Sequence, residues 1–118
     1  MARYDLEERT FEFAQQVRDF VKKLPRTIGN GEDGKQLVRA SGSVGANYIE
    51  ANEAISTKDF QHRIRIARKE SKETRYWLRL VDLGQDRELD DTRQNLINES
   101  TELMNILSAI LRKSTDTN

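Results

Sequence analysis

The chain has no cysteine, and this absence excludes disulfide bonds and thiolate zinc sites. It has a single proline, Pro25, a single histidine, His62, and no apolar run long enough to cross a bilayer. The first ten residues, MARYDLEERT, are charged and carry no apolar signal segment. We therefore expect a cytoplasmic protein with no membrane role.

The chain is rich in apolar residues at regular spacing. With 36% apolar and 34% charged residues, the composition suits one helical domain over residues 1–118. The three- and four-residue spacing of apolar positions predicts helices at about 6–24, 34–54, 56–83 and 89–113. Four amphipathic helices with short links predict an all-α fold, an antiparallel up-and-down four-helix bundle. A three-helix structure, with the second segment as a loop, is the alternative.

Local signals set the expected ends of these helices. Pro25 should end the first helix, and the three glycines of the segment 26–34 predict a loop. Ser56 with Asp59 is typical of a helix N-terminus, and Gly84 is suited to follow the third helix directly.

The stretch RASGSVGANYIEANEA, residues 39–54, has two glycines inside a helical pattern. Glycine costs a helix about 1 kcal/mol relative to alanine, so Gly42 and Gly45 need an offsetting reason. Close packing against a neighbouring helix would supply it. A phosphate-binding loop is the alternative, but the lysine-serine pair of a P-loop is missing.

Polar residues in and around this stretch need partners if they face the core. We expect a buried polar network formed by Arg39, Asn47, Glu50, Glu70 and Glu73. A carboxylate metal site of the ferritin type is the alternative, but such sites use Glu-x-x-His pairs and the chain has one histidine. We therefore expect no metal and no cofactor.

The same stretch, followed by STKDFQHRIRIARKESKETRYWLRL, resembles the bacterial 23S rRNA-intervening-sequence protein family. The motifs that carry the resemblance are Arg39-Ala40, Ser43-Val44, Asn47 with Glu50, Ser56 with Asp59 and Phe60, and Ala67 to Leu78. It extends from about Phe11 to Leu111, and Asn52 departs from the glycine that many members have. The resemblance implies a small helical oligomer, with a pentameric ring known among relatives. Some relatives are nucleic-acid-binding accessory proteins of diversity-generating retroelements. No catalytic residue is carried over.

The third predicted helix shows two surfaces beyond its core face. Residues 57–79 hold eight Lys/Arg and three Asp/Glu, whereas residues 80–118 hold four and eight. A helical wheel gathers the cations into a basic stripe made of Arg65, Arg68, Lys69, Lys72, Arg75 and Arg79. A second apolar strip lies further round the helix: Ile66, Trp77 and Leu80.

Each surface has two interpretations. The basic stripe is either an ordinary solvated face or a surface for the phosphates of RNA or DNA, and the acidic fourth helix could cancel its field. The apolar strip either extends the core or forms a homo-oligomer interface. No nucleophile with a base and no glycine-rich cofactor loop is evident, so we expect no enzyme and no small-molecule substrate. A protein-interaction adaptor or scaffold is the alternative function.

Overall fold

The structure, a computed structural model, describes residues 3–116, with side chains from residue 5 to residue 115. It contains four α-helices, α1 (Arg3–Lys22), α2 (Ile28–Asn52), α3 (Thr57–Leu80) and α4 (Arg87–Asp116). Each helix packs on the next and α4 packs back on α1, while the diagonal pairs of this part of the chain do not meet. Short links force successive long helices to run antiparallel. The all-α four-helix bundle is thereby confirmed, with overall dimensions of 50 × 23 × 19 Å.

The core runs along the middle of the bundle and takes one face of every helix. The fourth helix contributes five buried leucines, spaced seven, seven, four and four residues apart, which are Leu89, Leu96, Leu103, Leu107 and Leu111. The third helix instead places small residues, Ala67, Ser71 and Thr74, between two large ones. The two buried hydroxyls of this row donate to carbonyls of their own helix, at 3.1 and 2.8 Å.

The predicted loop 26–34 is wrong, because α2 begins at Ile28. Thr27 is extended and its side chain accepts a hydrogen bond from the backbone N–H of Asn30 at 3.0 Å. The buried amide of Asn30 also donates to the carbonyls of Pro25 and Asp82, at 2.8 Å each. These contacts stabilise a glycine-rich first turn that composition alone predicts to be a turn or loop.

The ends of α3 agree with the prediction at one side only. Ser56 is the N-cap and its Oγ accepts from the backbone N–H of Asp59 at 3.0 Å, which confirms the predicted start. The helix ends at Leu80, however, so Gly84 does not follow it directly. Gly84 lies in the link to α4 with φ +67°, a conformation that favours glycine.

The second helix is continuous through both of its internal glycines, which excludes the three-helix and phosphate-loop alternatives. Gly45 lies against α1, where a methyl group on its Cα would come within 2.8 Å of Thr10 Oγ1. Gly42 has more room, since the nearest atom to such a methyl group is an Arg18 nitrogen at 3.8 Å. Close packing therefore explains Gly45 and does not explain Gly42.

Candidate nucleic-acid interface

The basic stripe lies about a third of the way round α3 from the core row. Arg65, Lys69, Lys72 and Arg79 are exposed, whereas Arg68 and Arg75 are half-buried. Arg75 is turned towards α4, where it donates to the hydroxyl of Thr101 at 3.2 Å. The four exposed cations thus form the part of the stripe that a large anion can reach.

The cations of the stripe do not form ion pairs with the described side chains. Within residues 5–115, no ion pair joins any of its six cations to an acidic side chain. Glu99 and Glu102 of the acidic α4 point the other way, towards α1, where Arg9 donates to them at 2.7 and 3.3 Å. The hydrogen bonds that Arg9 donates to Glu99 raise the pKa of Arg9. These two acids of α4 therefore lie away from the stripe.

Two of the three acidic residues inside α3, Glu70 and Glu73, lie at its seam with α2, although Glu73 is also one turn after Lys69 of the stripe and is affected by its charge. Glu70 is buried and accepts from Arg39 at 2.9 Å across the α2–α3 seam. Burial alone would raise the pKa of Glu70, but hydrogen bonds with Glu73, Arg39 and Ser43 and the positive charge of Arg39 bring that pKa below its usual value. Glu70 is therefore a carboxylate anion held by its neighbours.

Glu73 behaves in the opposite way. Its hydrogen bond with Glu70, followed by burial and the negative charge of Glu70, raises the pKa of Glu73. Two ionised carboxylates cannot hydrogen-bond to each other, so Glu73 is the member of the pair that takes up a proton first as the pH falls. Its Oε2 atom is buried and accepts no hydrogen bond from residues 5–115.

The remaining polar residues divide differently from the prediction. Asn47 donates to the carbonyl and hydroxyl of Ser43, at 2.9 Å each, and accepts from Arg63 at 3.2 Å. Glu50 is exposed and so is the Arg39 side chain, at 53%, so the placement of these two residues in a buried network is wrong. Glu50 lies two residues from buried Tyr48, about 200° round the helix, which directs it to solvent. Ser43 and Arg63 belong to this seam and were missed, because a wheel for one helix does not show the facing helix.

The apolar strip of α3 is only partly available to a partner. Ile66 is half-buried, and Trp77 is half-buried and packs against the core. Leu80 is 51% exposed. Tyr76, which belongs to neither of the two predicted surfaces, is 55% exposed and makes an edge-to-face contact with Trp77, with ring centroids 5.0 Å apart. Its place beside the cations on the wheel was the available signal.

A second exposed apolar surface lies along the seam between α1 and α2. There the side chains of Phe11 and Ile49 are 57% and 46% exposed. They border a groove of about 460 Å³ whose floor includes Gly42, Gly45 and Ala46. Sequence reasoning missed this groove, since each helix contributes only one large apolar residue to it.

Two further observations concern metal ligands and membrane crossing. Within the described residues, no three Asp, Glu or His side chains converge as metal ligands would. None of the described helices combines the length and apolarity that a bilayer crossing requires.

Comparisons with known proteins agree with the fold. The family described as 23S rRNA-intervening sequence protein matches residues 3–109. A crystal structure of a protein of unknown function from the S23 ribosomal protein family of Bacteroides thetaiotaomicron is similar, with a TM-score of 0.79 and 29% sequence identity. The similarity covers 95% of this chain and 99% of that one. No curated protein sequence matches the chain. The extent of the family match shows that the chain belongs to the 23S rRNA-intervening sequence protein family.

Proposed function

We propose that this protein is a non-enzymatic, homo-oligomeric bundle that binds the backbone of RNA or DNA through the basic stripe of α3. The observation that carries the proposal is the absence of carboxylate partners for the stripe among residues 5–115. A cationic face that merely solubilises a helix is commonly laced with ion pairs. Here Glu70 of α3 pairs with Arg39 of α2, and Glu99 and Glu102 of α4 pair with Arg9 of α1.

The spacing of the exposed cations supports contact with phosphates. Arg65, Lys72 and Arg79 recur every seven residues, which places them about 10.5 Å apart along one line of the helix. Contacts along such a line depend on charge and not on base sequence, because phosphate contacts carry no sequence information. The binding should therefore be weakly dependent on sequence and strongly dependent on salt.

The oligomer is supported by the two exposed apolar surfaces. One is the strip on α3 with Leu80 at its exposed end, and the other is the groove bordered by Phe11 and Ile49. They lie on different sides of the bundle, so contact between them would be heterologous, and heterologous contacts can close into rings. A pentameric ring fits this arrangement and the known relatives. It would also bring several basic stripes together, which strengthens individually weak sites.

A salt titration tests the nucleic-acid proposal. Fluorescence anisotropy of a labelled duplex DNA should give a slope of log K against log salt of about −0.9 for each neutralised phosphate. Four exposed cations predict a slope of roughly −3 to −4. No binding at about 50 mM salt, or a slope near zero, would refute the proposal. Sedimentation velocity tests the oligomer in parallel, and a mass of one subunit would contradict that part.

A protein-interaction adaptor is the second candidate function. The groove between α1 and α2 favours it, because an apolar groove floored by small residues can accept a helix. This candidate would lead if the protein assembled normally and bound no nucleic acid.

A further inference from the structure

Tyr76 is an exposed aromatic residue within the basic face of α3. Tyr76 is 55% exposed. Burying the ring in the core would remove more apolar surface from water, so its exposure needs an explanation. Lys72 lies one turn before it and Arg79 one turn after it, on the same side of the helix. Lys69 lies two turns before it. The ring is thus bordered by cations along the helix axis.

The orientation of the Tyr76 ring is restrained. It meets Trp77 edge to face, with an interplanar angle of 81°, and Trp77 is itself packed against the core. In an edge-to-face contact at least one face of the Tyr76 ring stays uncovered by Trp77. A ring that is already oriented loses little conformational freedom when a flat ligand stacks on it.

A restrained aromatic face between cations suits the chemistry of a single nucleic-acid strand. Such strands are held by aromatic side chains that stack on bases and by cations that follow the phosphates. Lys72 and Arg79 lie about 6 and 4.5 Å from Tyr76 along the helix axis, within reach of the phosphates on either side of a stacked base. In a duplex the bases already stack on one another, so the ring has no base face to meet.

We propose that Tyr76 stacks on a base, and that the stripe therefore prefers single-stranded to double-stranded nucleic acid. This inference rests on the proposed function, since the cations supply the binding to which stacking adds. Phosphate contact is shared by both forms, whereas the aromatic contact belongs to the single strand alone.

The test compares three labelled probes of one sequence, a single-stranded RNA, a single-stranded DNA and the duplex DNA, at equal salt. We expect the parent to bind both single strands more tightly than the duplex. Tyr76→Ala should weaken single-strand binding about tenfold and change duplex binding less than about twofold. Tyr76→Phe should keep the parent's affinity for all three probes, because the stacking ring remains.

Ile28→Ala is the control, because it removes an exposed apolar side chain outside both surfaces proposed for the oligomer. Ile28 is 91% exposed and lies in the first turn of α2. Its removal should change none of the three affinities. If Tyr76→Ala weakens single strands and duplex equally, or neither, the stacking inference is wrong while stripe binding stands.

Two other results also decide the question. If the parent binds none of the probes, the proposed function fails and the stacking inference fails with it. If Tyr76→Ala lowers the sedimenting mass while the affinity per subunit is kept, Tyr76 belongs to a contact between copies and the stacking inference is wrong.

Discussion

Adding one methyl group at Gly45 tests how closely α1 and α2 approach. In Gly45→Ala the new Cβ would lie 2.8 Å from Thr10 Oγ1 and 3.1 Å from Thr10 Cβ. Thr10 cannot yield easily, because it is β-branched, buried and hydrogen-bonded through its hydroxyl to the carbonyl of Glu7 at 2.9 Å. The backbones must therefore separate, or Thr10 must leave its rotamer.

The magnitude follows from two opposing effects. Alanine improves helix propensity by about 1 kcal/mol at either glycine. Overpacking of a tight contact costs about 1–3 kcal/mol, and this applies at Gly45 alone. Gly42→Ala should therefore stabilise the fold by up to about 1 kcal/mol, whereas Gly45→Ala should leave it unchanged or destabilise it by up to about 2 kcal/mol. Gly45→Leu should be worse than Gly45→Ala.

Urea denaturation followed by circular dichroism measures both variants against the parent. Removing the obstructing hydroxyl in the double variant Gly45→Ala/Thr10→Ala should recover part of the loss, which a double-mutant cycle reports as coupling. The reasoning is refuted if Gly45→Ala is as stable as Gly42→Ala, or if the cycle shows no coupling with Thr10.

Three further predictions concern hydrogen-bonded groups, and urea denaturation measures each of them. The raised pKa of Glu73 means that the folded state keeps a proton that the unfolded chain releases, so stability falls as pH rises from about 4.5 through the raised pKa. Glu73→Gln keeps a side chain that donates a hydrogen bond to Glu70. It should raise the free energy of unfolding by about 1 kcal/mol at pH 7 but change it little at pH 4. An equal gain at both pH values would contradict the assignment of the proton to Glu73. Arg39→Met leaves the Glu70 carboxylate without its charged partner and should cost about 1–3 kcal/mol, with Glu70→Gln recovering part of it. Asn30→Ala removes three hydrogen bonds, including one from the backbone N–H of Asp82 at 2.9 Å, and should cost about 2–3 kcal/mol. A neutral Asn30→Ala would show that this link contributes nothing to stability.

The sequence predicts the bundle because amphipathic periodicity and capping are local properties. The Ser56 cap and the continuity of α2 through Gly45 follow from residues within one or two turns. The start of α2 could not be predicted in this way. Its first turn depends on Asn30 reaching the link between α3 and α4, fifty-two residues further along the chain.

The candidate site was predictable in position but not in surroundings. A wheel places the cations of α3 on one face, and the structure keeps them there. It does not show that Glu99 turns to Arg9, that Glu50 faces solvent or that Trp77 packs on the core. These contacts depend on how each helix is rotated about its axis against its neighbours. A helical wheel of one segment does not specify that rotation.

The central claim is that the exposed cations of α3 hold nucleic acid, and a pair of charge reversals tests it most directly. Arg65→Glu/Lys72→Glu changes two exposed stripe residues, and Lys22→Glu/Lys23→Glu changes two exposed lysines at the end of α1 by the same charge. Anisotropy with a single-stranded probe should show the stripe variant losing about tenfold or more in affinity, while the α1 variant stays within about twofold of the parent. Both should keep the parent's helicity. Equal losses in the two variants, or an unchanged stripe variant, would contradict the account.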